Sequence, residues 1–373
     1  MNIMHVIDSL AVGGAERILI EIANRTLEYG HRVSVCITRS DRQLAKSLAR
    51  EIPIYVLNRR YRWDMVGMLK FLHLLKNDRP EILHIHGRSS LSFLAFLKLF
   101  NFIDIPIVFT DQYGAIEIDK AIPHWFKWLG RNCCHIYVGV CDQHRSWAQN
   151  AGLPPDKIEI IENALDTRRI LRHPPVDLRR EVAISEDALL GITVAGWRME
   201  KGLDILIEAV RCTSSKKQFK IVVVGGVRDE TYFQSCQKLI IEYGLQDRFI
   251  FLGERSDVPG LLQGADFAIM TSRSESGPLT LIEYMAVGLP FVSTRVGAIA
   301  QQAEAYGARD FIPPDNPEAM AEVLTLLLSL SPADLLERGK RSREICLQYF
   351  DIQQKMPAWF RVYRKALNEA NFN

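Results

Sequence analysis

The sequence predicts an α/β protein built from two Rossmann-like domains, and three observations predict it. Short apolar runs rich in β-branched residues alternate with helical stretches, the alternation restarts near Leu189, and a segment at 166–178 rich in arginine, histidine and proline separates the two series. Such alternation is typical of a parallel sheet with helices on both faces. A chain of 373 residues is also longer than one hydrophobic core usually supports. We therefore expect an N-terminal domain at 1–168 and a C-terminal domain at 169–350.

The individual elements follow in chain order. In the first series the predicted strands are Ile3–Ile7, Arg32–Thr38, Ile54–Leu57, Ile82–Ile85, Ile107–Thr110 and His135–Val140, and the predicted helical segments are Ala15–Tyr29, Gln43–Arg50 and Trp63–Asn77. In the second series the strands are Leu189–Ala195, Lys220–Gly225, Phe249–Leu252, Phe267–Thr271 and Pro290–Thr294, and the helices are Asp204–Cys212, Glu230–Tyr243, Leu279–Val287 and Pro317–Leu330. A final helix is predicted at about Asp351–Leu367.

The composition excludes several classes of protein. With 48% hydrophobic residues, 24% charged residues and a net charge of +2, the chain has an ordinary globular composition and no signature of a nucleic-acid partner. The seven cysteines include no C-x-x-C pair, so we expect neither a zinc site nor a disulfide framework. The first residues lack the features of a signal peptide, and the most apolar long run, Leu91–Phe109, is interrupted by charged residues. We therefore expect a cytoplasmic protein, either soluble or attached to a membrane only at the surface.

The strongest local pattern is the segment 274–290. A predicted strand ends in a polar loop that contains Gly277 and Pro278, and an apolar helix then begins. The unpaired N–H groups at a helix start bind anions, and proline is well tolerated there. Glu275 in the loop and Glu283 in the second turn would flank a bound phosphate and accept hydrogen bonds from sugar hydroxyls. The alternative is a solvated loop glutamate and an ordinary helix glutamate favoured by the helix dipole.

A second pattern, at 193–202, also joins a predicted strand to a helix. Lys201 lies at or beside the helix start, where a cation is electrostatically disfavoured. A bound anion would remove that conflict, and Arg198 and Lys201 together suit a diphosphate. The alternative is a surface arginine and lysine paired with Glu200 or Glu208.

Weaker candidates follow other predicted strands. Gly13 and Gly14 allow close backbone approach to a ligand, although a plain turn between strand and helix has the same residues. The loop is not G-x-G-x-x-G, which argues against an NAD-dependent dehydrogenase. His86 and Arg88 lie near the carboxyl end of their strand, where α/β sheets bind ligands, whereas His84 is predicted to be a core histidine.

Taken together and in this order, these segments resemble glycosyltransferase family 4, the retaining glycosyl transferases group 1 of GT-B fold. Glu275 and Glu283, separated by seven residues, look like the acidic motif of that family. Four other segments are similar to family motifs: Glu-Tyr-Met-Ala-Val-Gly-Leu-Pro at 283–290, Asn-Ala-Leu-Asp at 163–166, Phe-Leu-Gly at 251–253 with Asp-Val-Pro at 257–259, and Asp-Asn-Pro-Glu at 315–318. The resemblance covers essentially the whole chain.

The resemblance implies two Rossmann-like domains facing each other across a donor cleft, with the C-terminal helix at about 351–373 packed back on the N-terminal domain. It implies retaining transfer of a hexosyl-type sugar from a nucleoside-diphosphate sugar, such as a UDP- or GDP-sugar, to a glycan, a lipid-linked molecule or another small acceptor. No metal ion or other cofactor is implied.

The resemblance also implies roles for particular residues. Arg198 and Lys201 would neutralise the diphosphate. Glu275 would hold hydroxyls of the donor sugar, and Glu283 would bind the ribose. The other donor-binding residues would be Gly13, Gly14, Val258, Gly277, Pro278, Leu279 and Thr280.

The sequence departs from the family on the acceptor side. The family usually has a histidine after the strand that ends at Thr110, in a motif like T-E-H-G, and here Asp111 and Gln112 occupy that place. One hypothesis is that Asp111 or Gln112 takes over its catalytic part by positioning a sugar, with His86 and Arg88 on the acceptor side. Two alternatives stay open: a sugar-nucleotide epimerase, which would turn over the donor without an acceptor, and a non-catalytic nucleotide-sugar-binding protein, favoured by the missing histidine.

A basic and aromatic segment at 59–79 bears on membrane contact. It contains six lysines and arginines against two aspartates, and its apolar residues recur at helical spacing. One interpretation is an interfacial helix near anionic lipid at the inner face of the membrane, serving a lipid-linked acceptor. The other is an amphipathic helix whose apolar face packs in the core and whose basic rim is solvated.

Overall fold

The structure, a computed structural model, describes residues 1–113 and 124–371, and the chain divides into two compact units. The first unit comprises Met1–Ala164 and Ile352–Asn373, and the second comprises Leu165–Asp351. The division falls between residues 164 and 165, whereas the sequence analysis places it after 168. Each unit contains a parallel sheet with alternating helices, which is the predicted fold class.

The first unit is built around a seven-stranded parallel sheet. Its strands are β1 (Asn2–Ile7), β2 (Arg32–Ile37), β3 (Ile54–Val56), β4 (Ile82–His86), β5 (Ile107–Asp111), β6 (Ile136–Gly139) and β7 (Ile158–Ile160). They pair in the order β3-β2-β1-β4-β5-β6-β7, the doubly wound order with one strand added. The helices before residue 165 are α1 (Gly14–Glu28), α2 (Met65–Asp78), α3 (Arg88–Leu99), α4 (His124–Cys133) and α5 (Asp142–Asn150). Strands β1, β4 and β5 are buried along their whole length, as expected for strands covered on both faces.

The second unit repeats this architecture with six strands. They are β8 (Leu189–Val194), β9 (Phe219–Val224), β10 (Phe249–Gly253), β11 (Phe267–Met270), β12 (Phe291–Thr294) and β13 (Phe311–Ile312). They pair in the order β10-β9-β8-β11-β12-β13, again the doubly wound order. The helices are α6 (Thr167–Arg172), α7 (Leu178–Glu181), α8 (Leu203–Cys212), α9 (Glu230–Glu242), α10 (Val258–Gln263), α11 (Leu279–Val287), α12 (Gly297–Ala305), α13 (Pro317–Ser329) and α14 (Pro332–Tyr349).

The last helix, α15 (Ile352–Asn371), belongs to the first unit although it follows the second in sequence. Met356, Trp359 and Tyr363 are buried and recur at the spacing of one helix face. The hydroxyl of Tyr363 is hydrogen-bonded to His84 Nδ1 at 2.9 Å, which ties the helix to β4. The C-terminal helix therefore completes the first unit.

Some elements are missed by the sequence analysis for identifiable reasons. Helix α3 falls in the long apolar run that the sequence analysis considers only as a membrane segment. Helix α14 buries small residues, including Gly339 and Ser342, so its buried face has no clear hydrophobic period. A Cβ at Gly339 would lie 1.9 Å from the main-chain oxygen of Gly288, so this helix needs a small residue there. The predicted helix at Gln43–Arg50 is instead a short 3₁₀ turn at Gln43–Ser47 with no buried residue.

The segment 166–178, predicted to be a linker, is a packed part of the second unit. Asp166 caps the start of α6 by accepting hydrogen bonds from two main-chain N–H groups. Val176 N donates to Gly260 O at 3.1 Å, and a Cβ at Gly260 would lie 2.5 Å from Pro174 O. Pro174 is therefore in close contact with α10.

No single helix in the described ranges is both long and apolar enough to cross a membrane. Helices α13 and α14 meet the criteria of length and composition only as a pair, with a bend of 119° between them. The seven cysteines are free thiols, and all except Cys212 are buried.

Candidate active site

The carboxyl ends of β8 and β11 lie side by side in the second sheet. The two strands pair, with Gly191 opposite Phe267, because the strand order reverses at this point. Open α/β sheets bind ligands at such a reversal, outside the carboxyl ends of the strands. The segments that follow these two strands are the two strongest sequence patterns, carrying Lys201 and Glu275. The fold brings together two patterns that are 74 residues apart in the chain.

A glycine allows these two segments to touch. Gly202 follows the short turn Met199–Lys201 and has a φ of +62°, in the left-handed region that favours glycine. A Cβ at this position would lie 2.2 Å from the main-chain oxygen of Thr271. Thr271 Oγ1 donates a hydrogen bond to Lys201 O at 2.9 Å. Gly202 therefore sets how closely the turn of Lys201 approaches the loop after β11.

Lys201 and Glu275 form an ion pair within this contact. Lys201 Nζ donates to Glu275 Oε1, and Ser272 Oγ donates to the same oxygen at 2.9 Å. The two side chains are only 19% and 15% exposed, so the pair is partly shielded from water and stronger than a surface pair. The pair places a cation next to a carboxylate that can accept hydrogen bonds from hydroxyl groups.

The loop that carries Glu275 is held from another side by α12. Gly297 at the start of α12 has a φ of +75°, and a Cβ there would lie 2.9 Å from the main-chain oxygen of Glu275. Ala298 N donates to Ser276 O at 3.0 Å. These contacts preorganise the loop, because its main chain is fixed by regular secondary structure.

Helix α11 begins directly after this loop. Pro278 precedes the first helical residue, Leu279, and a proline side chain has no atom that could cap the helix, so the predicted anion site at this helix start stays a prediction. Glu283 lies in the second turn and is buried. Val194 N donates to the hydroxyl of Tyr284 at 2.9 Å, which anchors the helix to β8.

The other residues predicted to bind the donor in this unit lie around these elements. Arg198 precedes the turn of Lys201, and its exposed side chain makes no ion pair or hydrogen bond with the described part of the chain. Val258 is the first residue of α10 and is buried. Gly277 lies in the loop before α11, and Thr280 lies in the first turn of that helix. Their roles toward a donor stay predictions.

Arg273, which the sequence analysis does not single out, lies in the loop between β11 and Glu275. Its side chain forms ion pairs with Asp204 and Asp315. Its place directly before the strongest sequence pattern, 274–290, was the available signal. Its partners could not be foreseen, because they come from distant parts of the chain.

In the first unit, the side chain of Glu16 lies against the loop after β1, where Gly13 and Gly14 are predicted to approach a ligand. Gly13 and Gly14 stand at the start of α1, as close backbone approach requires. The carboxylate of Glu16 folds back against Gly13, because a Cβ there would lie 2.3 Å from Glu16 Oε2. Burial raises the pKa of Glu16. A ligand phosphate at this loop would have to displace that carboxylate.

Asp111 and Arg88, to which the sequence analysis gives separate roles, form one ion pair. Arg88 Nη2 and Nε donate to Asp111 Oδ2 at 2.9 and 3.1 Å, and the hydroxyl of Tyr137 donates to it at 3.2 Å. The guanidinium lies 4.3 Å from the ring centroid of Trp147. Asp111 is only 1% exposed, so it reaches a ligand only if this pair opens. Gln112 Nε2 is buried and has no hydrogen-bond partner among residues 1–113 and 124–371.

His86 belongs to a buried cluster of three histidines. It lies two residues after His84 on β4, so both side chains point to the same face, and His5 on β1 pairs opposite His84. His5 Nδ1 and His86 Nε2 are 3.0 Å apart, and His84 Nε2 lies 2.6 Å from Thr110 Oγ1. His84 is a core histidine as predicted. His86 is equally buried, which does not favour contact with an acceptor, and His5, which no sequence pattern marks, completes the cluster.

This histidine cluster fits neutral imidazoles better than a metal ion. Its nitrogens lie within 4.8 Å of one another, which in the described residues makes it the one group that could hold a cation by geometry. His84 already uses both ring nitrogens, toward Tyr363 and Thr110. A divalent cation would also bring charge into the core without a carboxylate in the cluster to compensate it. Burial lowers the pKa of all three histidines.

Two doubly wound parallel sheets with alternating helices are the architecture of solved glycosyltransferases of GT-B fold. Two family models match the chain: Glycosyltransferase Family 4 over residues 12–169 and Glycosyl transferases group 1 over residues 177–343. The chain belongs to this family of glycosyltransferases.

Similar proteins agree with this classification. N-acetyl-alpha-D-glucosaminyl L-malate synthase of Bacillus anthracis is 21% identical over 371 residues, covering 96% of each chain. One of the subunits of phosphatidylinositol N-acetylglucosaminyltransferase from Homo sapiens is 25% identical over 311 residues, covering 78% of this chain and 60% of that protein. The crystal structure of HepE from Anabaena in complex with UDP and glucose has a TM-score of 0.81 at 18% identity and covers 100% of both chains.

Proposed function

We propose that this chain is a retaining glycosyltransferase that moves a hexosyl-type sugar from a nucleoside-diphosphate sugar to an acceptor. The observation that carries the proposal is the shielded pair of Lys201 and Glu275 at the strand reversal of the second unit. A cation at this point compensates the negative charge that grows on the leaving diphosphate. The neighbouring carboxylate accepts hydrogen bonds from sugar hydroxyls, and the start of α11 offers N–H groups to a phosphate.

In the proposed reaction the bond from the anomeric carbon to the diphosphate oxygen breaks. A bond from the same carbon to an acceptor hydroxyl oxygen forms on the same face, and the hydroxyl proton passes to the departing diphosphate oxygen. Arg198 and Lys201 hold the diphosphate, Glu275 holds the sugar and Glu283 binds the ribose. The remaining donor contacts proposed for the second unit come from Val258 and Gly277–Thr280. Because cations and a helix start compensate the charge, we propose that the reaction needs no metal ion or other cofactor.

The names of the similar proteins suggest which donors to test first. Both sequence relatives are named for an N-acetylglucosaminyl group, and the HepE crystal contains UDP and glucose. We therefore propose UDP-N-acetylglucosamine and UDP-glucose as the first donors, ahead of GDP-sugars. The proposed acceptor is a glycan, a lipid-linked molecule or another small hydroxyl compound.

A thermal-shift panel of nucleotide sugars, followed by transfer assays with the best ligand, tests this function. A donor at a hundred times its dissociation constant should stabilise the protein by about 2.7 kcal/mol. With an acceptor, we expect nucleotide release and a product of unchanged anomeric configuration by NMR. Conversion of the donor without an acceptor would indicate an epimerase, and binding without release under any acceptor would indicate a non-catalytic binding protein. Stabilisation by none of the nucleotide sugars contradicts the proposal.

We further propose that the chain works at the inner face of a membrane and that its first unit docks there through an apolar strip, the 61–69 strip. It consists of five exposed large side chains within nine residues: Tyr61, Trp63, Met65, Val66 and Leu69. Helix α2 packs in the core through a different set, Gly67, Met68, Phe71, Leu74 and Leu75. The five side chains are 48% to 64% exposed, although the ring of Trp63 packs edge-on against Phe96 at 6.0 Å, and exposed apolar patches mark interaction sites.

The charges around the 61–69 strip fit an anionic lipid surface. Arg60 and Arg62 are exposed beside it. Asp64, the acidic residue inside the strip, is buried and caps the start of α2, so its charge faces inward. Arg59, by contrast, is buried in an ion pair with Asp8 at 2.8 Å and does not contribute. Exposed cations next to apolar side chains are the composition that binds anionic membranes.

Vesicle sedimentation tests the docking surface. We expect recovery with phosphatidylglycerol-containing vesicles and little with phosphatidylcholine alone. Trp63→Ser with Leu69→Ser should weaken binding at least about tenfold, because two large side chains no longer enter the interface. Ile241→Ser is the matched control, since Leu69 and Ile241 are both 64% exposed. Equal recovery with both vesicles contradicts the proposal, and a change of oligomeric state in the double variant would indicate a second copy of the chain as the occupant.

A further inference from the structure

We infer that Arg273 is a positioning residue that holds the turn of Lys201 and the loop of Glu275 in register. The inference rests on the function proposed for those two segments. Arg273 lies two residues before Glu275, and its contacts reach both segments without using either of their charged groups. We expect transfer to depend on it although it does not hold the donor.

Arg273 contacts the turn of Lys201 through both its main chain and its side chain. Its main-chain N–H donates to Glu200 O at 2.8 Å, and its Nη1 donates to Met199 O at 2.8 Å. Met199 and Glu200 form the short turn together with Lys201. The position of the Lys201 ammonium is therefore coupled to the loop on which Glu275 lies.

Two carboxylates hold the guanidinium from other directions. Asp204, in the first turn of α8, accepts from Nη1 and Nη2 at 2.8 and 2.7 Å, and Asp315 accepts from Nε at 2.6 Å. The hydroxyl of Tyr232 donates to Asp204 at 2.5 Å, so this carboxylate is itself held in place. Burial alone would raise the pKa of Asp204, but the hydrogen bonds from Arg273 and Tyr232 lower it. Asp204 thus stays ionised and keeps its hold on Arg273.

These contacts leave Arg273 poorly suited to bind the diphosphate directly. Nη1 and Nε are both engaged, and the side chain is 23% exposed. A bidentate bond to phosphate would break the network. The planar guanidinium of an arginine has three nitrogens and can donate to Met199 O, Asp204 and Asp315 at the same time. A lysine has a single charged nitrogen and cannot do so.

Arg179 provides a matched control in the same unit. Its side chain is 27% exposed, pairs with Asp266 at 2.5 Å and donates to the main-chain oxygens of Ser185 and Ala188 at 3.2 and 2.8 Å. These partners lie before β8 and β11, at the amino edge of the sheet, whereas Lys201 lies beyond the carboxyl edge. Removal of either arginine breaks a comparable network, but only Arg273 adjoins the proposed site.

The test compares kcat, KM and melting temperature for Arg273→Ala, Arg273→Lys and Arg179→Ala. We expect the two alanine variants to lose similar amounts of thermal stability, whereas only Arg273→Ala lowers kcat by about tenfold or more. Arg273→Lys keeps the charge but should not restore kcat. If Arg273 acts through Lys201, adding Arg273→Ala to Lys201→Ala should have little further effect, because the two losses are coupled.

The outcomes separate this inference from the proposed function. If Arg273→Ala keeps kcat within about twofold of the parent while Lys201→Ala is strongly impaired, the function stands and the inference falls. An equal kcat loss in Arg179→Ala, or losses that multiply in the double variant, would also overturn it. If Lys201→Ala itself keeps the parent kcat, the proposed function fails.

Discussion

The two units share one strand order but differ in the chemistry at the carboxyl ends of their strands. In the first unit a cluster of three histidines on β1 and β4 is buried, and Asp111 at the end of β5 is only 1% exposed in its pair with Arg88. In the second unit the corresponding strands lead to Lys201 and Glu275, which form a partly exposed pair. Topology alone therefore does not tell which edge binds a charged ligand, because the side chains carried by equivalent loops decide it.

The largest expected difference between the two units is their stability in acid. We expect the first unit to unfold at a higher pH than the second. Burial lowers the pKa of His5 to about 3 and those of His84 and His86 well below 6.5. Below pH 6.5 the unfolded chain binds protons that the folded unit excludes, so the free energy of unfolding falls with pH, by up to about 1.4 kcal/mol per pH unit for each histidine that stays neutral in the folded unit. Above pH 6.5 all three are neutral in both states and have no effect.

Hydrogen exchange followed by peptide mass checks this expectation. Peptides of the first unit should lose protection as the pH falls from 6.5 toward 5, before those of the second unit, whose single histidine is His173. The variant His73→Gln, at an exposed histidine, should leave the profile unchanged. If both units lose protection at the same pH, the buried histidines do not make the first unit selectively sensitive to acid.

A second test breaks the buried pair of the first unit. Asp111→Asn should lower the free energy of unfolding by about 3 kcal/mol, because Arg88 would keep its charge without a full partner. Chemical denaturation measures it. Gln112→Ala should leave stability nearly unchanged, and its kcat shows whether this loop takes part in transfer. If both variants fold and keep the kcat of the parent, this loop does not take part in transfer.

The third test concerns the second unit and separates its two glutamates. Glu275→Gln and Lys201→Ala should each lower kcat about a hundredfold, which corresponds to about 3 kcal/mol, because their contacts strengthen as charge develops. Glu283→Gln should mainly raise KM, since a ribose contact is made equally before and during the reaction. Steady-state kinetics with a varied donor decides it. An unchanged kcat in the first two variants would exclude this edge as the active site.

The smallest expected effect is that of a chelator. Activity should persist in excess EDTA, because in the proposed mechanism Arg198 and Lys201 take the place of a metal ion at the diphosphate. The assay compares rates before and after chelation and again after adding magnesium or manganese. A rate that is lost in EDTA and restored by a metal would contradict the metal-free mechanism.

The sequence predicts some elements almost to the residue and others not at all, for physical reasons. Helix α11 has the bounds Leu279–Val287 in both, because Pro278 and Gly288 mark its ends and its apolar residues are continuous. The histidine cluster is invisible in the sequence, because the contact of His5 with His84 depends on β1 and β4 being neighbours. The partners of Arg273 are equally invisible, since Asp204 and Asp315 join it only through the fold.

In the candidate site, the sequence predicts which charged residues take part but not which of them contact each other. Lys201 and Glu275 belong to separate motifs, and nothing in either motif indicates that they touch. A glycine at position 202 is common in a turn. Here it is required because any Cβ would collide with the main-chain oxygen of Thr271, which belongs to the other segment. Contacts between segments that are distant in the chain therefore could not be predicted from the sequence.

The two ends of the second unit meet. Leu165 N donates to Phe350 O at 3.1 Å, and Thr167 N donates to Asp351 at 3.3 Å. The first unit is interrupted after residue 164 and resumes at 352, so the second unit is an insertion with adjoining ends. A segment of this kind can be exchanged as a cassette, because both junctions lie at one place and neither cuts a sheet. Chimaeras that join this first unit to the second unit of a relative would show whether donor choice follows the second unit, as the site proposed at Lys201 and Glu275 predicts.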